Sequence, residues 1–337
     1  MRGNFLVFDR EHTATRYINA LSRALIAEMN SYRLATGRIM SDQHQQRTIL
    51  NTDGVEHARN AVKTAPVSVI VPCFRSKATI EDAVASIVAQ TLRPAEILLI
   101  DDCSGDGTVD VLHSIAARHP VGWIKVIALP SNGGVSHARN TGWNQAQQPY
   151  IAFLDADDCW GSRKLELQMA ALDADPSIAL ISHRMVIRPR GTQVPPPESA
   201  VNAEVISRRT LLLRNPFPTA SVILRRDLPL RFDEKFRRSE DYLLWSQIVF
   251  SGHRCVKLDQ VLAIWNQRES GESGLSDDFV AVHRARRAMR RELLRQGLLN
   301  HAEYVFCSTF GMVTKTRRDI VLRIQRQGPY RPPAAQA

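Results

Sequence analysis

From Val67 onward, short apolar runs alternate with segments in which apolar residues recur every three or four positions. VSVIVP (67–72), EILLI (96–100), WIKVIAL (123–129), YIAFLD (150–155) and IALISH (178–183) have the length and β-branched content of strands buried on both faces. Between them, residues 79–90, 107–119, 134–146 and 162–174 carry the helical period, the first with Thr79 as its cap and Asp82 in its first turn. Strands alternating with helices predict an α/β fold with a mostly parallel central sheet covered by helices. In such a sheet a ligand sits at the carboxyl ends of the strands, which puts DDCSGD (101–106) and DADDCW (155–160) on one rim.

The pattern divides the chain into four parts. Residues 1–65 form an N-terminal extension, polar apart from a helical candidate at Ile18–Met29, and residues 66–270 form the main domain. Within it RPRGTQVPPPE (188–198) is a loop, since consecutive prolines forbid a regular helix or central strand. TASVILRR (219–226) follows as a strand, SEDYLLWSQIVFSG (239–252) as a helix stopped at Gly252, and CVKLD (255–259) as a short extended run. Residues 271–326 read as a basic helical region and 327–337 as a disordered tail.

Charge adds a constraint on partners. The 337 residues hold 44 Lys and Arg against 34 Asp and Glu, a formal charge of +10 that favours anionic partners: nucleic acid, an anionic membrane or a phosphorylated small molecule. Residues 280–326 concentrate it, with eleven basic and three acidic residues among Leu293, Leu294, Leu298, Tyr304, Val305 and Phe306. That mixture predicts either attachment to an anionic membrane surface or a solvated face whose apolar residues pack inward. No nucleic-acid-binding signature accompanies it, so no specific nucleic acid is expected. Five dispersed cysteines without a CxxC pair suit a reducing compartment, and neither a signal peptide nor a spanning apolar stretch is visible. The expectation is a cytoplasmic protein, soluble or peripheral at the inner face of the membrane.

The candidate chemistry is acidic. Asp155 and Asp157, separated by Ala156 and followed by Asp158, emerge from the end of an apolar strand. Clustered carboxylates repel unless a cation or hydrogen bonds offset the charge, and hard oxygen donors suit Mg²⁺ or Mn²⁺ on a diphosphate. Helix capping is the plainer reading of the same residues. Asp101 or Asp102 can accept the N3 proton of uracil or hold a ribose hydroxyl, whereas Asp106 and Thr108 suit a cap and turn. Arg139 follows two glycines at a helix start, where it serves phosphate or forms a salt bridge to a nearby aspartate, and His137 is a surface residue of that helix. The spacing there matches neither a GxGxxG fingerprint nor a P-loop, which disfavours a nicotinamide dehydrogenase. Glu240 and Asp241 open a helix, as a general base for an acceptor hydroxyl or as favourable charges at its positive end.

Four segments, VSVIVPCFRSKATIEDAVASIVAQTLRPAEILLIDDCSGDGT, NGGVSHARNTG, YIAFLDADDCW and FDEKFRRSEDYLLWSQIVFSG, together resemble the family 2 inverting glycosyltransferases of GT-A fold over about residues 66–270. The resemblance implies a nucleoside-diphosphate sugar as donor, a UDP-sugar first and a GDP-sugar second, and a glycan or lipid-linked acceptor. By it, Pro72 and Phe74 mark the first nucleotide-binding strand end, and Asp101 and Asp102 are the base-binding pair, with Asp102 on uracil. Arg139 approaches the nucleotide or its phosphates. Asp155 and Asp157 are the DxD positions, Asp157 the direct metal ligand and Asp158 facing sugar or metal. Asp241 is the catalytic base and Glu240 its orienting neighbour. The chain departs from the family pattern at Phe74–Arg75, where Tyr-Asn is common, at Cys103, where Gly is common, and at Gln247, where Arg is usual. The competing enzyme class is a nucleotidyltransferase, which lacks its glycine-rich activating loop here because PCFRSKAT occupies that place.

Overall fold

The computed structural model describes residues 48–50, 64–197, 201–267 and 278–326; the helical candidate at Ile18–Met29 and the 327–337 tail lie outside them. The chain groups into two compact units, residues 47–310 and residues 1–46 with 311–337. The strands are β1 (Thr48–Leu50), β2 (Thr64–Cys73), β3 (Arg93–Asp101), β4 (Ile124–Ala128), β5 (Tyr150–Phe153), β6 (Asp158–Trp160), β7 (Ile178–Pro189), β8 (Val201–Val205), β9 (Ile223–Arg225) and β10 (Arg254–Gln267). The helices are α1 (Ile80–Val88), α2 (Thr108–Ala117), α3 (Val135–Gln145), α4 (Lys164–Ala174), α5 (Arg208–Leu213), α6 (Glu240–Phe250), α7 (Phe279–Arg295) and α8 (His301–Arg326).

The strands of the described residues join one sheet in the order β1-β8-β10-β7-β9-β5-β2-β3-β4, with β6 paired to β10. β2, β3, β4 and β5 are mutually parallel neighbours. β9 runs against both β5 and β7, and β7 pairs parallel with β10, so β6, β8 and β9 are the strands that oppose the common direction. The chain crosses from β2 to β3 on one side and returns to β5 on the other. That reversal opens a crevice at the carboxyl ends of β2 and β5.

The sheet is buried on both faces because its strands are apolar at successive positions. On β3, Ile97 and Leu99 join one core cluster with α1, α2 and α4, while Leu98 and Ile100 join the other with α3, α6 and α7. Helix α3 lies close against β2: a Cβ on Gly142 would stand 2.5 Å from Cγ2 of Ile70. Each fully buried Leu or Ile contributes about 1.5–3 kcal/mol relative to exposure.

Several elements differ from the sequence expectation. Residues 219–221 form a 3-10 turn rather than the start of a strand, because the amide of Ser221 bonds back to the Pro218 carbonyl and leaves only Ile223–Arg225 to pair. CVKLD is the first part of a long strand whose pairing to β7 is interrupted by a register shift between Lys257 and Val261. IALISH likewise continues to Pro189. Thr79 occupies the cap position of α1 without a side-chain cap bond, its hydroxyl donating instead to the Ser76 carbonyl.

Candidate active site

The loops after β2 and β3 are tied to each other before any ligand is considered. The amide of Asp102 donates to the Cys73 carbonyl at 2.8 Å, and the amide of Arg75 donates to Ser104 Oγ at 2.9 Å. Ser104 Oγ donates in turn to Asp101 Oδ1 at 2.5 Å, so Asp101 is the anchor of this turn. Phe74 projects from the strand end, 48% exposed, with the Arg75 guanidinium 5.2 Å from its ring centre. Pro72 is the last residue but one of β2. Asp106 accepts from both the amide and the hydroxyl of Thr108, closing a turn just ahead of α2, whose cap position is Gly107 and not Asp106.

Asp102 does more than close a turn. Its two carboxylate oxygens accept from the amides of Gly133 and Gly134 at 2.8 and 2.7 Å, fixing the loop that leads into α3. Gly134 sits at φ +87, a conformation that favours glycine, and the Arg237 guanidinium lies against it where a Cβ would stand. Asp101 and Asp102 are both buried.

Helix α3 then delivers Arg139 to the centre of the rim. Its Nη2 meets Asp155 Oδ1 at 2.7 Å and its Nη1 meets Glu240 Oε1 at 3.0 Å, while the guanidinium carbon lies 5.3 Å from the centre of the Phe232 ring. Burial works against the charge, but the carboxylates of Asp155 and Glu240 hold the guanidinium above its ordinary range. One buried cation thus joins Asp155, two residues past β5, to Glu240 in the first turn of α6, which lies 101 positions from Arg139 in sequence. Of the two sequence readings for Arg139, the contacts it makes are those of the salt bridge, and Glu240 is a second partner that spacing did not indicate. His137, on the same helix, pairs at the surface with Glu234 at 3.0 Å.

The DADD carboxylates are divided among three environments. Asp155 faces Arg139, Asp157 is exposed with its carbonyl accepting from Asn266 Nδ2 at 2.7 Å, and Asp158 is buried in β6 opposite Trp265. Ala156 is buried between them. Among the described residues no group of three or more His, Cys, Asp and Glu side chains is arranged to hold an ion. Beneath the loop, Lys164 is fully buried, its ammonium position 4.0 Å from the Trp160 ring centre and without a hydrogen-bond partner. Burial holds this amine well below the ordinary lysine range.

Asp241 keeps a solvent-accessible edge, yet the protein around it pushes its pKa up to about 7. Burial is the largest cause and the neighbouring Glu240 the next; the Tyr242 amide, Arg139 and Asn215 pull the other way. Asn215 donates Nδ2 to Asp241 Oδ2 at 2.9 Å and had no place in the sequence analysis. Its only signal was an amide within the short proline-containing turn NPFP, and nothing local ties that turn to a helix 26 residues on. A carboxylate with a pKa near neutrality, in a cleft, is suited to accepting a proton from a hydroxyl.

Residues 68–231 match the family model described as glycosyl transferase family 2. The chain is 42% identical over 103 residues to TuaG of Bacillus subtilis (strain 168), assigned to teichuronic acid biosynthesis as a glycosyltransferase; the match covers 31% of this chain and only 40% of that protein. It is 31% identical over 184 residues to WfgD of Escherichia coli, a UDP-Glc:alpha-D-GlcNAc-diphosphoundecaprenol beta-1,3-glucosyltransferase, covering 54% of this chain and 69% of that one. Among solved structures, the mannosyltransferase PcManGT of Pyrobaculum calidifontis, in complex with GDP-Man and Mn²⁺, shares the fold with a TM-score of 0.57 at 19% identity, over 94% of this chain and 88% of that one. Glu240 and Asp241 lie just beyond the segment matched by the family model.

Proposed function

The chain belongs to glycosyl transferase family 2, and we propose that it moves a sugar from a nucleoside-diphosphate sugar, a UDP-sugar first, to a hydroxyl of a glycan or lipid-linked acceptor with inversion. The observation that carries this reading is the buried Arg139, which binds the carboxylate after β5 and the carboxylate beside Asp241 at once. Donor-side and acceptor-side motifs are thereby held at one rim.

In the proposed reaction the acceptor oxygen attacks the anomeric carbon from the face opposite the diphosphate. As the new C–O bond forms, Asp241 takes the hydroxyl proton and the old bond breaks toward the nucleoside diphosphate. Asn215 donates to Oδ2 of Asp241 and helps fix the orientation of the carboxylate that takes that proton. Arg139 pairs with Glu240 and Asp155, while burial first and the neighbouring Glu240 next raise Asp241 to about 7, where it can take a proton. On the donor side, Asp102 retains one lone pair on each oxygen beyond those given to Gly133 and Gly134, and we assign one of them to the N3–H of uracil. Phe74 offers an exposed ring to the base beside Pro72.

The donor set fits a divalent cation. Exposed Asp157 offers a hard oxygen, with Asp155 held by Arg139 and Asp158 buried in β6 nearby, and Mg²⁺ in such sites takes one or two carboxylates with the substrate's phosphates completing its shell. Such an ion would neutralise the departing diphosphate. The proposal extends to a peripheral location at the inner membrane face, as a diphosphoundecaprenol-type acceptor requires. The test is a screen of UDP- and GDP-sugars by calorimetry with Mg²⁺ or Mn²⁺, followed by incubation of the best donor with acceptor. Release of nucleoside diphosphate supports transfer; pyrophosphate formed from a nucleoside triphosphate and a sugar phosphate would indicate the nucleotidyltransferase instead.

A further inference from the structure

We propose that the outer face of helix α7 is a docking surface for an anionic lipid bilayer, held by charge and not by insertion. This rests on the peripheral membrane location proposed above and supplies the residues for it.

The exposed positions Val280, Arg284, Arg287 and Arg291 are spaced by four, three and four residues, which aligns them along one side of the helix. The other side is committed to the protein. Met289 and Leu293 are buried in the core cluster that contains Tyr242 and Trp245, and Leu294 and Leu298 pack against that cluster. The leucines that the sequence offered to a headgroup boundary are therefore taken, and Val280, 59% exposed, is the large apolar side chain left on the outer face.

The arginines of this face differ from many others on the surface. Arg118, Arg184, Arg190, Arg225 and Arg254 each pair with a carboxylate. On α7 the single acidic residue, Glu292, pairs with Arg295. Arg284, Arg287 and Arg291 have no acidic partner among the described residues. Unpaired guanidiniums in a row gain by meeting a surface of opposite charge, and a flat array of lipid phosphates is a surface that a straight helix face can meet along its length. The position of the face suits a lipid-borne acceptor. Arg290, also on α7, lines a crevice together with Tyr242, the residue that follows Asp241. The docking face thus belongs to a helix packed against the first turn of α6, where the proposed base sits.

The test uses the intact chain and vesicles of phosphatidylcholine alone or of equal parts phosphatidylcholine and phosphatidylglycerol. Sedimentation should show binding to the anionic vesicles, little to the neutral ones, and release as salt is raised. Replacing Arg284, Arg287 and Arg291 together with Gln should weaken vesicle binding roughly a hundredfold, at about fivefold per arginine near an anionic surface. The same replacement at the paired Arg118, Arg184 and Arg225 should change it little. Donor turnover with a water-soluble acceptor, measured on the same samples, should stay unchanged in the α7 variant, which separates loss of docking from failure of the transferase reading. Arg287→Glu alone serves as a second variant and should also weaken binding. Equal, negligible binding to both vesicle types, full binding by the α7 variants, or preferential binding of a single-stranded oligonucleotide over anionic vesicles would overturn the proposal.

Discussion

Asn215 donates its side-chain amide to Oδ2 of Asp241 at 2.9 Å, while its own carbonyl oxygen accepts from the amide of Phe217. The second bond fixes the amide's orientation, so Asn215 presents a donor to the carboxylate and favours its charged form. A hydrogen bond to a charged group is worth about 1.5–3 kcal/mol, or about one to two pKa units. In the wild-type enzyme the rate should fall on the acid side of a limb near pH 7, as Asp241 protonates. Asn215→Ala should move that limb upward by about one to two units while donor affinity measured by calorimetry holds. An unmoved pH profile would remove Asn215 from the account and leave Asp241 untouched.

Cys103 and Arg75 both adopt left-handed backbone, at φ +57 and φ +51, and both are positions where the chain departs from the family pattern. Gly and Asn, the residues common there, are those that tolerate this conformation. Cys103→Gly should stabilise the fold by about 0.5–1 kcal/mol, the relief of left-handed strain less the added entropy of the unfolded chain. Denaturant titration reads this directly, and a destabilised variant would mean that the exposed thiol makes contacts that outweigh the strain.

What could be read from the sequence follows from what is local. The strands at 67–72, 96–100 and 150–155 are buried on both faces and announce themselves as unbroken apolar runs, and their order fixes which loops share a rim. The 3-10 turn at 219–221 was hidden because Thr219 and Ser221 sit in an otherwise strand-like run, and only the Pro218 carbonyl turning back reveals it. β10 was cut short by Asp259 and Gln260, polar residues at the irregularity in its pairing. At the site, DADD and ED carry their own spacing, but the partner of each carboxylate is a matter of topology. Arg139 reaching Glu240, Asp102 holding Gly133 and Gly134, and Asn215 reaching Asp241 all bridge residues far apart in sequence.

Lys164 is fully buried, and burial holds its amine well below the ordinary lysine range. An unfolded lysine is protonated below its ordinary pKa of 10.5, so the fold loses stability as pH falls from that value toward the lowered pKa of the buried amine. Lys164→Met fills a similar volume without this penalty. The variant should melt higher than wild type at pH 7, and the difference should shrink as pH approaches 10. A variant that melts lower at pH 7 would show that the amine has a polar partner worth more than its desolvation.

Asp157 is the exposed member of the DADD group, and the proposed cation rests chiefly on it. Asp157→Asn removes one anionic ligand with little change of size. Donor affinity in the presence of Mg²⁺ or Mn²⁺ should fall by at least about tenfold, the scale of one lost charged contact, with the melting temperature nearly unchanged. Unchanged donor affinity and turnover would remove Asp157 from the donor site.

The central claim is that Asp241 performs the chemistry while other residues hold the donor, and Asp241→Asn separates the two. The measurement pairs calorimetry of donor binding with the rate of sugar transfer in wild type and variant, at a pH above 7 where the wild-type carboxylate is charged. The account predicts wild-type donor affinity and a transfer rate lower by about a hundredfold or more, the contribution of a general base. A folded Asp241→Asn enzyme that binds donor and transfers at near the wild-type rate would contradict it.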